Sequence, residues 1–219
     1  MRLRNIPRAK EAVPASSFVI NEPERYRGSW QQLFGDSHPL HLEIGMGKGR
    51  FLRDMAARHP EINYIGIERY TSVLLRAIER IGQEEAPSNY RFLCLDATRL
   101  GDIFAPGEVD RIYLNFSDPW PKERHARRRL TSASFLHLYE QVLKKGKTVE
   151  FKTDNQELFD FSLESAKEAG WRILAFTRDL HRDAMGEGNV MTEYEEKFSQ
   201  RGNPICKMIA APPEEIHVR

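Results

Sequence analysis

The stretch HLEIGMGKGRFL, His41–Leu52, decides the fold. It opens as a short β-rich run, passes through Gly45, Gly47 and Gly49, and closes with the spacing of a helix. Glycines at a strand-to-helix junction let the backbone turn tightly and let a ligand approach it closely. Their spacing is G-x-G-x-G, not the G-x-G-x-x-G of dinucleotide sites, and Glu43 stands two residues before the first of them. A nicotinamide cofactor is therefore disfavoured.

Outward from this junction the same alternation continues. NYIGIE, RFLCLD, VDRIYLNF, KTVEFKT, WRILAFTRDL and PICKMIAA read as strands. Helical patterns lie between them over 50–58, 71–82, 132–144 and 155–169. Strands separated by helical stretches of roughly 10 to 15 residues predict βαβ units and a mostly parallel sheet with helices on both faces. Gly146 after LKK and Gly170 after AKEA suit left-handed residues closing two helices. The last two strands read as lacking a helix between them, separated instead by the polar HRDAMGEGNVMTEYEEKFSQRGN, so the final strand is expected to be antiparallel. Residues 1–40 read as a basic arm with a short helix near Glu24–Phe34, ahead of one domain over 41–219.

Composition agrees with one core: 219 residues, 40% hydrophobic and 30% charged. A net charge of +1 means that any polyanion must be met by a local patch. Cys94 and Cys206 lie far apart in apolar runs, as reduced thiols of a cytoplasmic protein would. The scattered histidines form no His-Glu-x-x-His, so no metal is expected. No apolar run approaches the roughly 18 residues of a membrane span, and MRLRNIPRAK lacks the apolar centre of a signal peptide.

Acids recur at strand ends. Glu68 follows the second strand, where a carboxylate can accept both ribose hydroxyls, and Asp96 follows the third, placed to meet an adenine. With the glycine loop and Glu43 they describe a site for S-adenosylmethionine. Each acid alone could equally cap the next helix. The fourth strand runs out into Asp118-Pro119-Trp120-Pro121, which by itself could be a simple turn. In a doubly wound sheet it lies beside the first strand at the switch point, and Asp118 would face Gly45 and Gly47. Beyond it Lys122, Arg124, His125, Arg127, Arg128 and Arg129 are neutralised locally only by Glu123 and suit phosphate contacts. The bland alternative is a solvated charge run. Thr192–Glu195 has the form of a capping box, and Asp154 could cap the helix beginning at Asn155.

EIGMGKG, Glu68, NFSDPWPK with its arginine run, FKTDN and TEYEEKF, in this order, resemble the bacterial tRNA (guanine-N7)-methyltransferase family, from about Phe18 onward. Ser117 departs from the family pattern, in which many members carry proline, while Asp118 to Lys122 keeps it. The resemblance implies a Rossmann-like class I methyltransferase fold with a seven-stranded sheet. It implies that Glu43, Gly45, Gly47, Glu68, Asp96 and Asp118 bind S-adenosylmethionine, with Asp118 also at the reaction centre. Lys122, Asp154, Thr192, Glu193, Tyr194 and Glu195 would hold the guanine nucleotide. Arg124, His125, Arg127, Arg128 and Arg129 would contact the tRNA, whose target is guanine 46 of the variable loop. The family includes monomers and homodimers, and the homodimer is the expectation here.

Three rival readings remain. An amino-group methyltransferase would use a related Asp-Pro turn, but Trp120-Pro121 stands where an aromatic after two prolines is wanted. An RNA-binding module with a decayed cofactor pocket would not keep Glu43, three glycines, Glu68 and Asp118. A small-molecule methyltransferase would have no need of the arginine block.

Overall fold

A computed structural model describes residues 6–82 and 89–214. Arg2 and Arg4 of the basic arm, and His217, lie outside the described residues. Strands β1 (Leu40–Ile44), β2 (Asn63–Ile67), β3 (Tyr90–Leu93), β4 (Val109–Asn115), β5 (Leu143–Thr153), β6 (Arg172–Thr177) and β7 (Cys206–Ala211) form one sheet. Their order is β3-β2-β1-β4-β5-β7-β6. The first five pair in parallel, and β7 is inserted antiparallel to both β5 and β6.

Eight helices were identified among the described residues: α1 (Ala9–Ala12), α2 (Trp30–Phe34), α3 (Arg50–Arg58), α4 (Thr71–Ile81), α5 (Leu100–Ile103), α6 (Ala133–Val142), α7 (Gln156–Glu168) and α8 (Glu193–Ser199). Two cores result, one on each side of the sheet. Leu42, Ile44, Ile112, Leu114 and Phe151 pack with Trp30, Leu100, Phe135, Leu136, Leu158 and Phe159 of α2, α5, α6 and α7. Met46, Tyr64, Phe92 and Tyr113 pack with Phe51, Leu52, Leu74 and Leu75 of α3 and α4. Burial on both faces is what a parallel sheet requires.

Strand alternation turns His41, Glu43, Arg111, Tyr113, Asn115, Glu150 and Lys152 to the α3 side, and the register aligns Glu43 with Tyr113 and Tyr113 with Glu150. Asn115 aligns with Lys152. A polar row therefore crosses the middle of the sheet. Its β4 and β5 members, Arg111, Tyr113, Asn115, Glu150 and Lys152, line a cleft of about 230 Å³ with Phe51, Asn189 and Val190.

Two expectations are corrected. The helix near Glu24–Phe34 is split into a 3-10 turn, Pro23–Tyr26, and α2, because Gly28 between them is left-handed at φ 80°. Gly146 is left-handed at φ 75°, yet α6 has already ended at Val142. It instead lets β5 bulge where pairing with β4 slips between Val109 and Arg111. Within the described part of the arm, Phe18 and Ile20 exchange backbone hydrogen bonds with Phe92 on β3. Trp30, 1% exposed, stacks on Phe104 in the core and donates its indole N–H to Ile103 O at 3.2 Å.

Gly170 does close α7. The amides of Gly170 and Trp171 reach back to Lys167 O and Ala166 O at 3.0 and 2.8 Å, a Schellman closure. Cys206 is buried, Cys94 half-buried, and both are free. No helix among the described residues is long and apolar enough to cross a membrane.

Candidate active site

The carboxyl ends of β1, β2 and β4 meet at one crevice, as the strand order demands at its switch point. Gly45 and Met46 both donate backbone N–H groups to Ile67 O, at 2.8 and 3.1 Å, which turns the chain sharply off β1. Gly45, Gly47 and Gly49 hold φ of 77°, 59° and 75°, a region closed to most side chains. A Cβ at Gly45 or Gly47 would meet nothing within 4 Å, so open space lies over the loop.

Glu68 braces that loop. Its Oε2 accepts from Gly47 N–H at 3.1 Å and its Oε1 from Tyr70 N–H at 2.9 Å. Each oxygen keeps a lone pair, enough for a vicinal diol. Burial, and to a smaller extent the charge of Asp118, hold the Glu68 carboxyl above its usual range. Glu43 is buried more deeply. Asn115 Nδ2 donates to its Oε1 at 3.0 Å, and Oε2 is buried without a hydrogen-bond partner. Burial drives its carboxyl up to about 8. A buried carboxyl with an unpartnered Oε2 suits a cationic ligand group, whose charge would draw off the proton and leave that oxygen an acceptor.

Asp96 lies past the end of β3 and caps the turn Ala97–Arg99, accepting from Thr98 N at 3.0 Å and Thr98 Oγ1 at 2.9 Å. Its capping role is thus present, and its other oxygen lies 3.5 Å from Arg69 Nη1. Asp118 is exposed at the loop following β4.

The basic block divides. Lys122, Arg124 and Arg127 are exposed and make no side-chain hydrogen bond or ion pair among the described residues. Arg128 lies 4.9 Å over the Trp120 ring, and His125 meets the same ring edge-on at 5.8 Å. Arg129 turns inward and donates to Pro119 O and Trp120 O at 3.0 and 3.2 Å.

The substrate residues divide too. Asn155, not Asp154, caps α7 by accepting from Leu158 N–H at 2.7 Å. Asp154 instead accepts from Tyr194 Oη at 3.0 Å, and burial together with Asp154 pushes that phenol up to about 12. The Tyr194 ring lies 5.0 Å from Phe116 and 4.1 Å from Phe198. Glu193 is held by Arg80 and, at 3.6 Å, by Lys48 of the glycine loop, while Glu196 binds Arg50. These ties lay α8 against the mouth of the crevice.

Half of the capping box forms, with Thr192 Oγ1 accepting from Glu195 N–H at 2.9 Å. The Glu195 carboxylate does not return to Thr192. It is fully buried against Lys152 Nζ at 2.6 Å, Asn189 Nδ2 at 2.6 Å and His181 Nε2 at 3.3 Å. In this structure both of its oxygens are committed to Lys152 and to the loop that carries it.

Asn115 and Lys152 escaped the sequence reading. Lys152 Nζ also donates to Val190 O at 2.9 Å and Asn189 Oδ1 at 3.2 Å, fastening the segment before α8 to the sheet. Their signal was the alternation of RIYLN and VEFKT, which becomes informative once registered against Glu43. Among the described residues no cluster of three or more His, Cys, Asp or Glu is placed to hold a metal.

A glycine loop at the switch point, an acid on the next strand, a seven-stranded sheet with its last strand reversed and an acidic loop after β4 define a methyltransferase. A profile of the putative methyltransferase family matches residues 37–208. Among solved structures, an antibiotic-related methyltransferase superposes with TM-score 0.63 at 17% identity, covering 84% of this chain and 93% of that one. The 16S rRNA methyltransferase KamB does so with TM-score 0.63 at 15% identity, covering 85% and 94%. At such identities they speak for the fold alone. Curated relatives named tRNA (guanine-N(7)-)-methyltransferase are far more similar. The one from Lachnoclostridium phytofermentans is 56% identical, covering 96% of this chain and 98% of the relative. That from Bacillus cytotoxicus is 51% identical, covering 96% of both. The chain belongs to the tRNA (guanine-N7)-methyltransferase family.

Proposed function

We propose that the protein transfers a methyl group from S-adenosylmethionine to N7 of guanine 46 in the variable loop of tRNA. The observation that carries the cofactor half is the buried, unpartnered Oε2 of Glu43 beside an open glycine loop. The acceptor half rests on the relatives' name together with the unpartnered cations Lys122, Arg124 and Arg127 on the Asp118 side. Bound there, the cofactor supplies an electrophilic methyl on a sulfonium.

Glu43 would accept from the amino-acid end of the cofactor, Glu68 from the ribose hydroxyls, and Asp96 from the adenine side. Guanine N7 carries a lone pair and no proton, so the residues need supply no general base. Their work is alignment and electrostatics. Asp118 would stand beside the purine as it gains positive charge and would favour that charge. Asp154 and Tyr194, joined by a hydrogen bond, would read the base's N–H edge, where an unmatched base leaves buried groups unpaired. Glu193 and Thr192 would fix that segment, and Glu195 would act through its hold on Lys152. The exposed cations would grip phosphates while the base leaves its stack. The same reading carries a cytoplasmic location and a homodimer. Leu174 and Phe176, exposed on edge strand β6, are the large apolar side chains a second copy would cover.

The test uses labelled cofactor with tRNA transcripts that carry guanine or adenine at position 46. Transfer to the guanine transcript alone supports the assignment, and equal labelling of both contradicts it.

A further inference from the structure

We propose that Arg129 is a positioning residue that clamps the Asp118 loop through two backbone carbonyls, and is not an RNA contact. The inference rests on Asp118 standing at the reaction centre. Two non-glycine residues flank that acid in the left-handed region, Phe116 at φ 53° and Trp120 at φ 43°. Such conformations persist only where the surroundings hold them.

The Phe116 end is held by its N–H donating to Lys152 O at 2.8 Å on β5 and by its ring against Tyr194. At the Trp120 end the holder is Arg129. Its Nε donates to Pro119 O at 3.0 Å and its Nη2 to Trp120 O at 3.2 Å, and these are the hydrogen bonds those carbonyls receive among the described residues. The planar fork of a guanidinium suits two convergent acceptors, which a single ammonium cannot match. The guanidinium itself rests 4.3 Å over the Phe161 ring of α7, so the loop is referenced to a helix of the core. Leu130, the next residue, is tied down as well, its carbonyl accepting from Tyr139 Oη on α6 at 3.0 Å. The geometry thus splits the arginine run into an outward set, Arg124 and Arg127, and an inward clamp.

The test compares full-length Arg129→Met, Arg129→Lys and Arg127→Ala on a tRNA transcript. For Arg129→Met the expected result is a fall in kcat of roughly 10- to 100-fold, the scale of a misplaced reacting group. Its tRNA affinity and the slope of log affinity against log salt should match wild type. Arg129→Lys should recover part of kcat. Arg127→Ala should instead lower affinity and reduce the salt slope by about one phosphate contact. A wild-type kcat in Arg129→Met, or a salt slope reduced as in Arg127→Ala, overturns the clamp. If Arg129→Met does not fold by circular dichroism, Phe161→Leu decides. A reduced kcat at unchanged salt slope supports the clamp, and a wild-type kcat overturns it. Wild-type protein that makes no N7-methylguanosine would sink the functional reading before any variant is compared.

Discussion

Replacing Glu43 by glutamine should stabilise the protein near neutral pH while weakening its hold on the cofactor. Glu43 is 2% exposed, and burial lifts its carboxyl from 4.5 to about 8. A folded-state pKa raised above the unfolded one means that the contribution to stability is complete below 4.5 and is lost as pH rises toward about 8. At 1.36 kcal/mol per decade, the wild type loses at most about 5 kcal/mol across that window through this one group. Glutamine has no such proton to lose. It keeps an oxygen for Asn115 but places an amide N–H₂ where Oε2 had no partner, which costs about 1 to 3 kcal/mol at every pH. The variant should therefore be the less stable protein near pH 4.5 and the more stable one near pH 8, the two limits of the window.

The assay is urea denaturation of both proteins at a series of pH values, with cofactor affinity measured calorimetrically on the same samples. Affinity should fall by roughly 10- to 100-fold, the worth of a hydrogen bond to a charged group. Parallel stability curves through the window would refute the buried, proton-holding Glu43. Unchanged cofactor affinity would refute its assignment to the ligand.

Asp118→Ala should lower the single-turnover rate at saturating cofactor by at least about a hundredfold, as loss of a charge-stabilising group does; a near-normal rate removes that carboxylate from the centre. Arg124→Ala combined with Arg127→Ala should flatten the salt dependence of tRNA binding by about two contacts and spare cofactor affinity, measured by filter binding and calorimetry. Trp30→Ala should cost about 3 to 5 kcal/mol in chemical denaturation, since the indole is buried against Phe104. A loss under about 1 kcal/mol would mean that residues 6–39 are not part of the cooperative core.

Much of this architecture was legible because its signals are local. The turn from β1 into α3 is written in EIGMGKG, and Gly170 closes α7 as its position after AKEA suggests. The reversed final strand was expected because no helix was read before it; that stretch does carry α8, a short helix tied to Arg50 and Arg80, and the insertion of β7 between β5 and β6 is a tertiary choice with no local mark. Gly146 misled because LKKG looks like a basic helix end closed by glycine, whereas the same left-handed residue serves a bulge in β5.

The site shows the same division. Glu43, Glu68 and Asp118 were visible as acids at strand ends. Asn115 and Lys152 were not, because their importance depends on register, which sets Lys152 beside Asn115 and Asn115 against Glu43. Glu195 was read as a base contact from the resemblance and the capping box, and Arg129 as an RNA contact from the resemblance and the arginine run. Their burial against Lys152 and against two loop carbonyls depends on partners about 40 and about 10 residues away in the chain, as the separations of 43, 10 and 9 show.

The central claim is the identity of the methylated atom. Incubating the protein with labelled S-adenosylmethionine and unmodified tRNA, digesting to nucleosides and separating them by mass-resolved chromatography tests it directly. The account predicts label in N7-methylguanosine and in no other nucleoside. Label in a nucleoside methylated on an exocyclic amino group, or in a ribose, would contradict it.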